Sequence, residues 1–132
     1  MEYIYNSIVS TIGIYNSESG GILGSKEDII THYVFDRVCH EQEYIPRVEF
    51  LNNEIRSWNE KGVNYIGLIH SHKSRRTLSY ADIEYARNII NLNNIPQIHM
   101  FLFVLDTKEL IDYIVYENDV CIEEINIIKE NN

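Results

Sequence analysis

Apolar residues recur along the chain with two different periods, and the change of period divides the chain into predicted helices and strands. A first helix is predicted from Tyr3 to about Tyr15, where apolar residues recur at helical spacing. A second is predicted to open with Pro46 at its first position, to carry one apolar stripe and to end at Gly62. A third is predicted to begin after Ser79, which caps it, and to end around NLNNIP.

Strands are predicted where β-branched and aromatic residues form short runs between turn residues. These runs are GGILGS, DIITHYVFDRV, VNYIGLIHSH, IHMFLFVL and LIDYIVYE, the last two joined by a short turn at Asp106 to Glu109. VNYIGLIHSH is nearly continuously apolar, which predicts a strand buried on both faces in its middle. Cys39 to Ile45 is predicted to be a loop. The pattern of DVCIEEINII is compatible with a helix or a strand, and an edge strand is favoured. The order of elements indicates an α/β (α+β) fold, a mixed central sheet flanked by helices.

Length and composition predict a single domain over residues 1–132. The net charge of −9 argues against nucleic-acid partners and anionic membrane surfaces, because both require a basic face. No stretch approaches the roughly 18 apolar residues of a membrane span, and MEYIYNSIVSTIGIY lacks the features of a signal peptide. Cys39 and Cys121 are too few for a disulfide framework, so the reducing cytoplasm is the expected compartment. Both cysteines are expected to be buried small residues.

Two histidines stand one residue apart at the end of the run VNYIGLIHSH. Because side chains alternate along a strand, His70 and His72 face the same side and can converge on one metal ion. A catalytic zinc site takes three protein ligands, and Asp82, in the first turn of the helix capped by Ser79, is the candidate third ligand. Taken separately, the two histidines could simply be polar residues at the end of a strand. Ser79 and Asp82 could likewise form a helix cap with no role in metal binding. Their conjunction favours a metal site.

A hydrolytic metal site also requires a carboxylate that acts as base without binding the metal. Glu18 is the candidate, since it lies where the first helix runs into a strand. Gly20 and Gly21 follow it and allow another backbone or a substrate to approach closely. The alternative is an exposed glutamate at a helix end.

The loop KSRR is the most basic stretch of this acidic chain and follows the second histidine directly. It is interpreted either as a solvated loop or as a substrate-binding segment, in which Lys73, Arg75 and Arg76 contact acidic side chains or carbonyls of a partner. The other histidines are predicted to be structural or exposed; they are His32, His40 and His99.

Glu18 with the following SGGILG, the HSH of His70 to His72, and Ser79-x-x-Asp82 together resemble the JAMM (MPN-domain) metallopeptidases, in their prokaryotic form. The signature of that family is an upstream glutamate, then HxH, a short spacer and SxxD, and the resemblance covers most of the chain. It implies that His70, His72 and Asp82 bind one Zn²⁺ per chain. It further implies that Glu18 activates the attacking water and that Ser79 helps to stabilise the oxyanion.

The resemblance also implies a substrate: the bond after the C-terminal glycine tail of a ubiquitin-like or sulfur-carrier protein, cleaved by an isopeptidase or peptidase. Two departures from the family pattern fall in the loop. The spacer from His72 to Ser79 has six residues where the family commonly has seven, and Lys73 stands where a proline is usual. Two rival interpretations are a catalytically silent MPN-type scaffold that binds partners, and a relative of bacterial DNA-repair proteins with a similar motif, which the net acidity disfavours.

Overall fold

A computed structural model describes residues 2–37 and 44–126, which form one mixed sheet with helices on both faces. The α-helices are α1 (Glu2–Thr11), α2 (Val48–Glu60) and α3 (Tyr80–Asn93), and a short 3-10 helix (Ile12–Ile14) continues α1. The strands are β1 (Gly20–Lys26), β2 (Ile29–Asp36), β3 (Asn64–His72), β4 (Gln97–Val104), β5 (Glu109–Tyr116) and β6 (Val120–Asn126). The fold is therefore α+β, as the sequence predicted.

The sheet has the order β2-β1-β3-β4-β5-β6. β3 and β4 run parallel and are connected through α3, while the other neighbouring strands pair antiparallel. Since α3 begins shortly after β3 ends, the N-terminus of α3 lies at the same edge of the sheet as the last residues of β3. This arrangement brings the HxH motif, at the end of β3, close to the SxxD motif, at the start of α3.

Two hydrophobic layers hold the helices to the sheet, one on each face. Helix α1 packs on one face, where its buried side chains meet those of β1, β3 and β4; the cluster includes Ile4, Ile8, Ile12, Leu23, Ile69, Phe101 and Phe103. Helices α2 and α3 pack on the other face, with a cluster that includes Ile22, Leu51, Trp58, Leu68, Ala86, Ile90 and Met100. Each such large side chain contributes on the order of 1.5–3 kcal/mol when buried.

The structure confirms most of the predicted elements. β3 is buried on both faces from Gly67 to His72, Ser79 is the N-cap of α3, and the turn between β4 and β5 falls where it was predicted. β6 is an edge strand, which settles the ambiguity of DVCIEEINII over the described residues. Most of the predicted loop Cys39 to Ile45 lies outside the described residues.

Two predictions from the sequence are wrong. Pro46 is not the first residue of α2, because the helix begins at Val48 and Arg47 is its N-cap. The backbone N–H of Arg47 donates instead to the buried carboxylate of Asp36, at 2.9 Å, and this contact delays the start of the helix. Cys121 is exposed, not buried, because it lies on the edge strand; Cys39 lies outside the described residues.

None of the described helices is both long enough and apolar enough to cross a membrane.

Candidate metal centre

The pairing of β1 with β3 sets the position of Glu18 relative to the histidines. The two strands are antiparallel, with Gly20 opposite His70. The pairing continues before β1, since Ser71 donates its backbone N–H to the Ser19 carbonyl at 3.0 Å and Ser19 donates its own to the Ser71 hydroxyl at 3.0 Å. Continuing this register by one more residue places Glu18 beside His72, on the face of the sheet that both histidines share.

Three ligand-type atoms come together at the end of β3 and the start of α3. We call them the donor triad: His70 Nε2, His72 Nε2 and Asp82 Oδ2. The two nitrogens are 3.1 Å apart, and the carboxylate oxygen lies 3.0 Å from the first and 3.2 Å from the second. Both imidazoles are buried, and the Asp82 side chain is one-fifth exposed. The structure thus brings together the three residues that strand alternation and the helix cap had predicted.

Hydrogen bonds among the three groups cannot account for all three of these short distances at once. A neutral imidazole carries one N–H, so the two Nε2 atoms and Oδ2 cannot make three favourable hydrogen bonds with each other. Ligands of a tetrahedral zinc ion, at 2.0–2.1 Å from the metal, are separated by about 3.3 Å. The spacing of the donor triad and its two-nitrogen, one-oxygen chemistry therefore fit a zinc ion.

A helix cap holds the third donor in place. Ser79 Oγ accepts the backbone N–H of Asp82 at 3.1 Å, and the backbone N–H of Ser79 donates to Asp82 Oδ2 at 2.8 Å. This reciprocal pair is a capping box, and it leaves the Ser79 hydroxyl proton free to donate. The structural and the functional interpretations of Ser79 and Asp82 are consequently compatible, because the cap orients the carboxylate toward the histidines.

The electrostatics of the triad keep Asp82 ionised. Burial by itself would raise the pKa of the Asp82 carboxyl, but hydrogen bonds from His70 and His72, together with the Ser79 backbone N–H, hold that pKa well below its usual range. His72 Nδ1, by contrast, is buried and has no hydrogen-bond partner among the side chains of residues 3–37 and 44–121 or the described backbone. Since zinc-bound histidines usually donate their second N–H, the described part of the chain does not fix the tautomer of His72.

Glu18 lies next to the donor triad without belonging to it. Its Oε1 is 3.9 Å from His72 Nε2, and its side chain is one-quarter exposed. Burial raises the pKa of the Glu18 carboxyl above its ordinary value, and the nearby His72 and His70 oppose this shift. A carboxylate with a raised pKa beside a metal site is suited to accept and return a proton.

The structure separates the three basic residues of the KSRR loop. Arg75 turns toward the donor triad, with one guanidinium nitrogen 3.5 Å from His72 Nε2. Arg76 points elsewhere and forms an ion pair with the nearly buried Glu109 at 2.7 Å. Lys73 is exposed and does not line the cleft described next. Of the three predicted substrate-binding residues, the structure brings only Arg75 to the site.

An open cleft of about 370 Å³ lies over the donor triad. Its polar lining residues are Glu18, Arg75, Ser79 and the triad residues, and the aromatic and apolar lining residues include Tyr44, Ile45, Pro46, Leu68, Tyr85 and Met100. Tyr44 and Tyr85 were not predicted from the sequence. Tyr85 lies on α3, where its spacing from Asp82 was an available signal, whereas the position of Tyr44 depends on contacts with a residue of another element.

Those contacts centre on Asp36, the last residue of β2, which is fully buried. Its carboxylate accepts the Tyr44 hydroxyl at 2.7 Å and both the backbone and the side-chain N–H of Arg47. Burial, reinforced by the hydrogen bond to Asp36, raises the pKa of the Tyr44 hydroxyl, so this group stays protonated and donates. The segment before α2 is thereby fixed as one wall of the cleft.

The remaining histidines do not join the donor triad. His32 packs its ring against Trp58, and His99 forms an ion pair with Asp112 at 2.8 Å. Both are structural, as predicted; His40 lies outside the described residues.

No known protein-family model matches the chain, and no curated protein matches it.

Proposed function

We propose that this chain is a zinc-dependent peptidase or isopeptidase of the JAMM type, acting on the bond after the C-terminal glycine tail of a ubiquitin-like or sulfur-carrier protein. The observation that carries the proposal is the donor triad, whose three atoms lie within 3.0–3.2 Å of one another beside the free carboxylate of Glu18. Two nitrogens, one oxygen and a nearby non-ligating base are the components of a catalytic zinc site.

His70, His72 and Asp82 would hold the ion. When bound, zinc supplies a Lewis acid that polarises the scissile carbonyl and lowers the pKa of the attacking water. Glu18 takes a proton from that water as its oxygen adds to the carbonyl carbon. The Ser79 hydroxyl donates a hydrogen bond to the oxyanion that develops on the carbonyl oxygen and keeps its proton. The C–N bond then breaks, and Glu18 returns its proton to the leaving nitrogen, which yields a carboxylic acid and an amine.

The lining of the cleft supports a substrate with small side chains. Aromatic and apolar side chains, among them Tyr44, Ile45 and Tyr85, lie around the same cleft as the polar groups of the site. A tail of glycine residues has no side chains to clash with these walls, so its scissile carbonyl can approach the buried triad.

The thiol of Cys121 is free and exposed, which is typical of proteins in a reducing compartment. We therefore propose that the protein is cytoplasmic.

The first test is metal content. The purified protein is expected to contain about one zinc ion per chain by elemental analysis, and the double variant His70→Ala, His72→Ala is expected to contain none. His32→Ala is the matched control, since His32 packs against Trp58 away from the triad, and it should retain the metal. Full zinc retention in the double variant would disprove the assigned ligands.

The second test separates metal binding from chemistry. Glu18→Gln keeps the shape of the side chain but cannot accept the proton, so the variant is expected to retain zinc and to lose hydrolysis of a glycine-tailed fusion by roughly 10²-fold or more. Cleavage at the wild-type rate would exclude Glu18 as the base. A zinc-loaded wild-type protein that binds such a fusion without cleaving it would instead favour the scaffold interpretation.

A further inference from the structure

Strand β2 forms one edge of the sheet and pairs with β1 only. Alternate backbone N–H and C=O groups of an edge strand point away from the sheet and can pair with another chain. Edge strands are often protected by lysine or proline, and β2 contains neither. Its apolar side chains are only partly buried, and Ile29 is 62% exposed. The outer side of β2 is therefore suited to bind a further strand.

Opposite charges stand at the two ends of β2. Glu27 and Asp28 form the turn before the strand, and Arg37 follows its last residue. All three side chains are exposed, and none of them forms an ion pair with a described residue. The Arg37 guanidinium lies over the ring of Tyr15, 4.5 Å from its centroid, which holds it near the strand end. At about 3.3 Å per residue, roughly 30 Å separates Asp28 from Arg37, so the two cannot pair within one chain.

A second copy of the chain brings each charged end beside its opposite. Two β2 strands can pair antiparallel about a two-fold axis that is perpendicular to the sheet and passes through Tyr33. The sheet then continues from one copy into the other, with both α1 helices on the same side. Asp28 of each copy lies opposite Arg37 of the other, so the interface contains this ion pair twice.

A β-bulge in β2 makes the side-chain directions match as well. In the pairing with β1, the register shifts so that Thr31 has no partner. Ile30, Tyr33 and Phe35 all pack on the α1 side of the sheet. Residues directly opposite each other in an antiparallel pair point to the same face, and leaving out Thr31 again places Ile30 opposite Phe35 of the second copy. The pairs across the interface are then Tyr33 with Tyr33, His32 with Val34, Ile30 with Phe35, and Asp28 with Arg37.

We propose that β2 is the interface of a homodimer, in which two copies of this chain join their six-stranded sheets into one continuous sheet. The partner is a second copy because β2 itself supplies both members of each charged pair and both sides of the apolar strip. Among the described residues, those that line the cleft include none from β2, so both clefts stay open in the dimer. The dimer therefore does not depend on the proposed hydrolysis.

The first test measures association of the full chain by analytical ultracentrifugation, from low micromolar to near-millimolar concentration. Wild-type protein is expected to show a monomer–dimer equilibrium. Arg37→Glu places like charges opposite each other twice and should raise the dissociation constant of the dimer about ten- to thirtyfold. Adding Asp28→Lys reverses both pairs and should restore dimerisation. Lys108→Glu is the matched control, since Lys108 is exposed in the turn after β4, three strands from β2, and this variant should dimerise like wild type.

The second test locates the interface by hydrogen–deuterium exchange. Exchange of the backbone amides of residues 29–37 should slow as the concentration of wild-type protein rises, and Arg37→Glu should weaken this effect. A chain that stays monomeric at every concentration would overturn the proposal, as would a dimer that Arg37→Glu leaves unchanged. Assemblies larger than a dimer would also overturn it, because they indicate head-to-tail pairing of β2 with another edge. Zinc content and cleavage of a glycine-tailed fusion should be the same in Arg37→Glu, so failure of the dimer is distinguishable from failure of the proposed function.

Discussion

Gly20 shows how a single residue sets the shape of the cleft. A Cβ atom at this position would overlap both the ring of Tyr44 and the carbonyl oxygen of Ile69. The hydrogen side chain therefore permits Tyr44 to lie directly against β1, two residues from Glu18. The glycines after Glu18 were predicted to let another backbone or a substrate approach closely, and at Gly20 the group that approaches is the ring of Tyr44, which lines the cleft.

Gly20→Ala is expected to lower the free energy of unfolding by roughly 1–3 kcal/mol, because either the Tyr44 ring or the β1–β3 backbone must move. Gly13→Ala is the matched control. A Cβ atom there meets its nearest neighbour, the Phe103 ring, at 3.5 Å, an ordinary contact, so the change should stay within about 0.5 kcal/mol of wild type. Urea denaturation measures both, and a Gly20→Ala variant as stable as wild type would contradict the close packing of Tyr44.

At the scale of elements, the start of α3 serves two purposes. The capping box pairs the backbone N–H groups of Ser79 and Asp82, and it also points the Asp82 carboxylate at the two histidines. The position of the third donor consequently depends on how well this helix begins.

Ser79→Ala removes the side-chain acceptor of the cap and is expected to lower the free energy of unfolding by about 1 kcal/mol. Ser79→Thr keeps a hydroxyl in the same position and should retain most of the stability. Thermal unfolding followed by circular dichroism compares the two variants with wild type. If alanine and threonine are equally destabilising, the loss arises from packing at this position and not from the hydroxyl cap.

The elements also explain which parts of the site the sequence could predict. Strand alternation and helix capping are local rules, and they predicted that His70, His72 and Asp82 converge. The direction of an exposed loop side chain follows no such rule, so the different surroundings of Arg75 and Arg76 could not be predicted. Nor could the wall formed by Tyr44, since its position depends on a hydrogen bond to the buried Asp36 at the end of β2.

At the scale of the whole molecule, the hydrophobic pattern predicted nearly every element, because helices and strands bury one face or both against a common core. It did not give the strand order, which places β1 between β2 and β3 and so brings the segment before β1 to the histidines. That long-range pairing explains how Glu18, far from His72 in the sequence, comes within 3.9 Å of it.

The candidate metal centre joins the end of β3 to the start of α3, so a bound ion would hold together two elements that the unfolded chain leaves apart. An ion that binds only the folded state stabilises it by about 2.7 kcal/mol when its free concentration is a hundred times the dissociation constant. For a chain of 132 residues, this corresponds to a rise in Tm of roughly 10 °C. The expected result is therefore a rise of this order when zinc is added to chelator-treated protein, measured by differential scanning calorimetry.

Magnesium at the same concentration should leave the Tm unchanged, because Mg²⁺ prefers oxygen ligands in octahedral geometry and the donor triad offers two nitrogens. The double variant His70→Ala, His72→Ala should not respond to zinc. An equal rise in Tm in this double variant would show that zinc stabilises the protein from another site. A rise confined to the wild-type protein and to zinc would identify β3 and α3 as the elements that the ion connects.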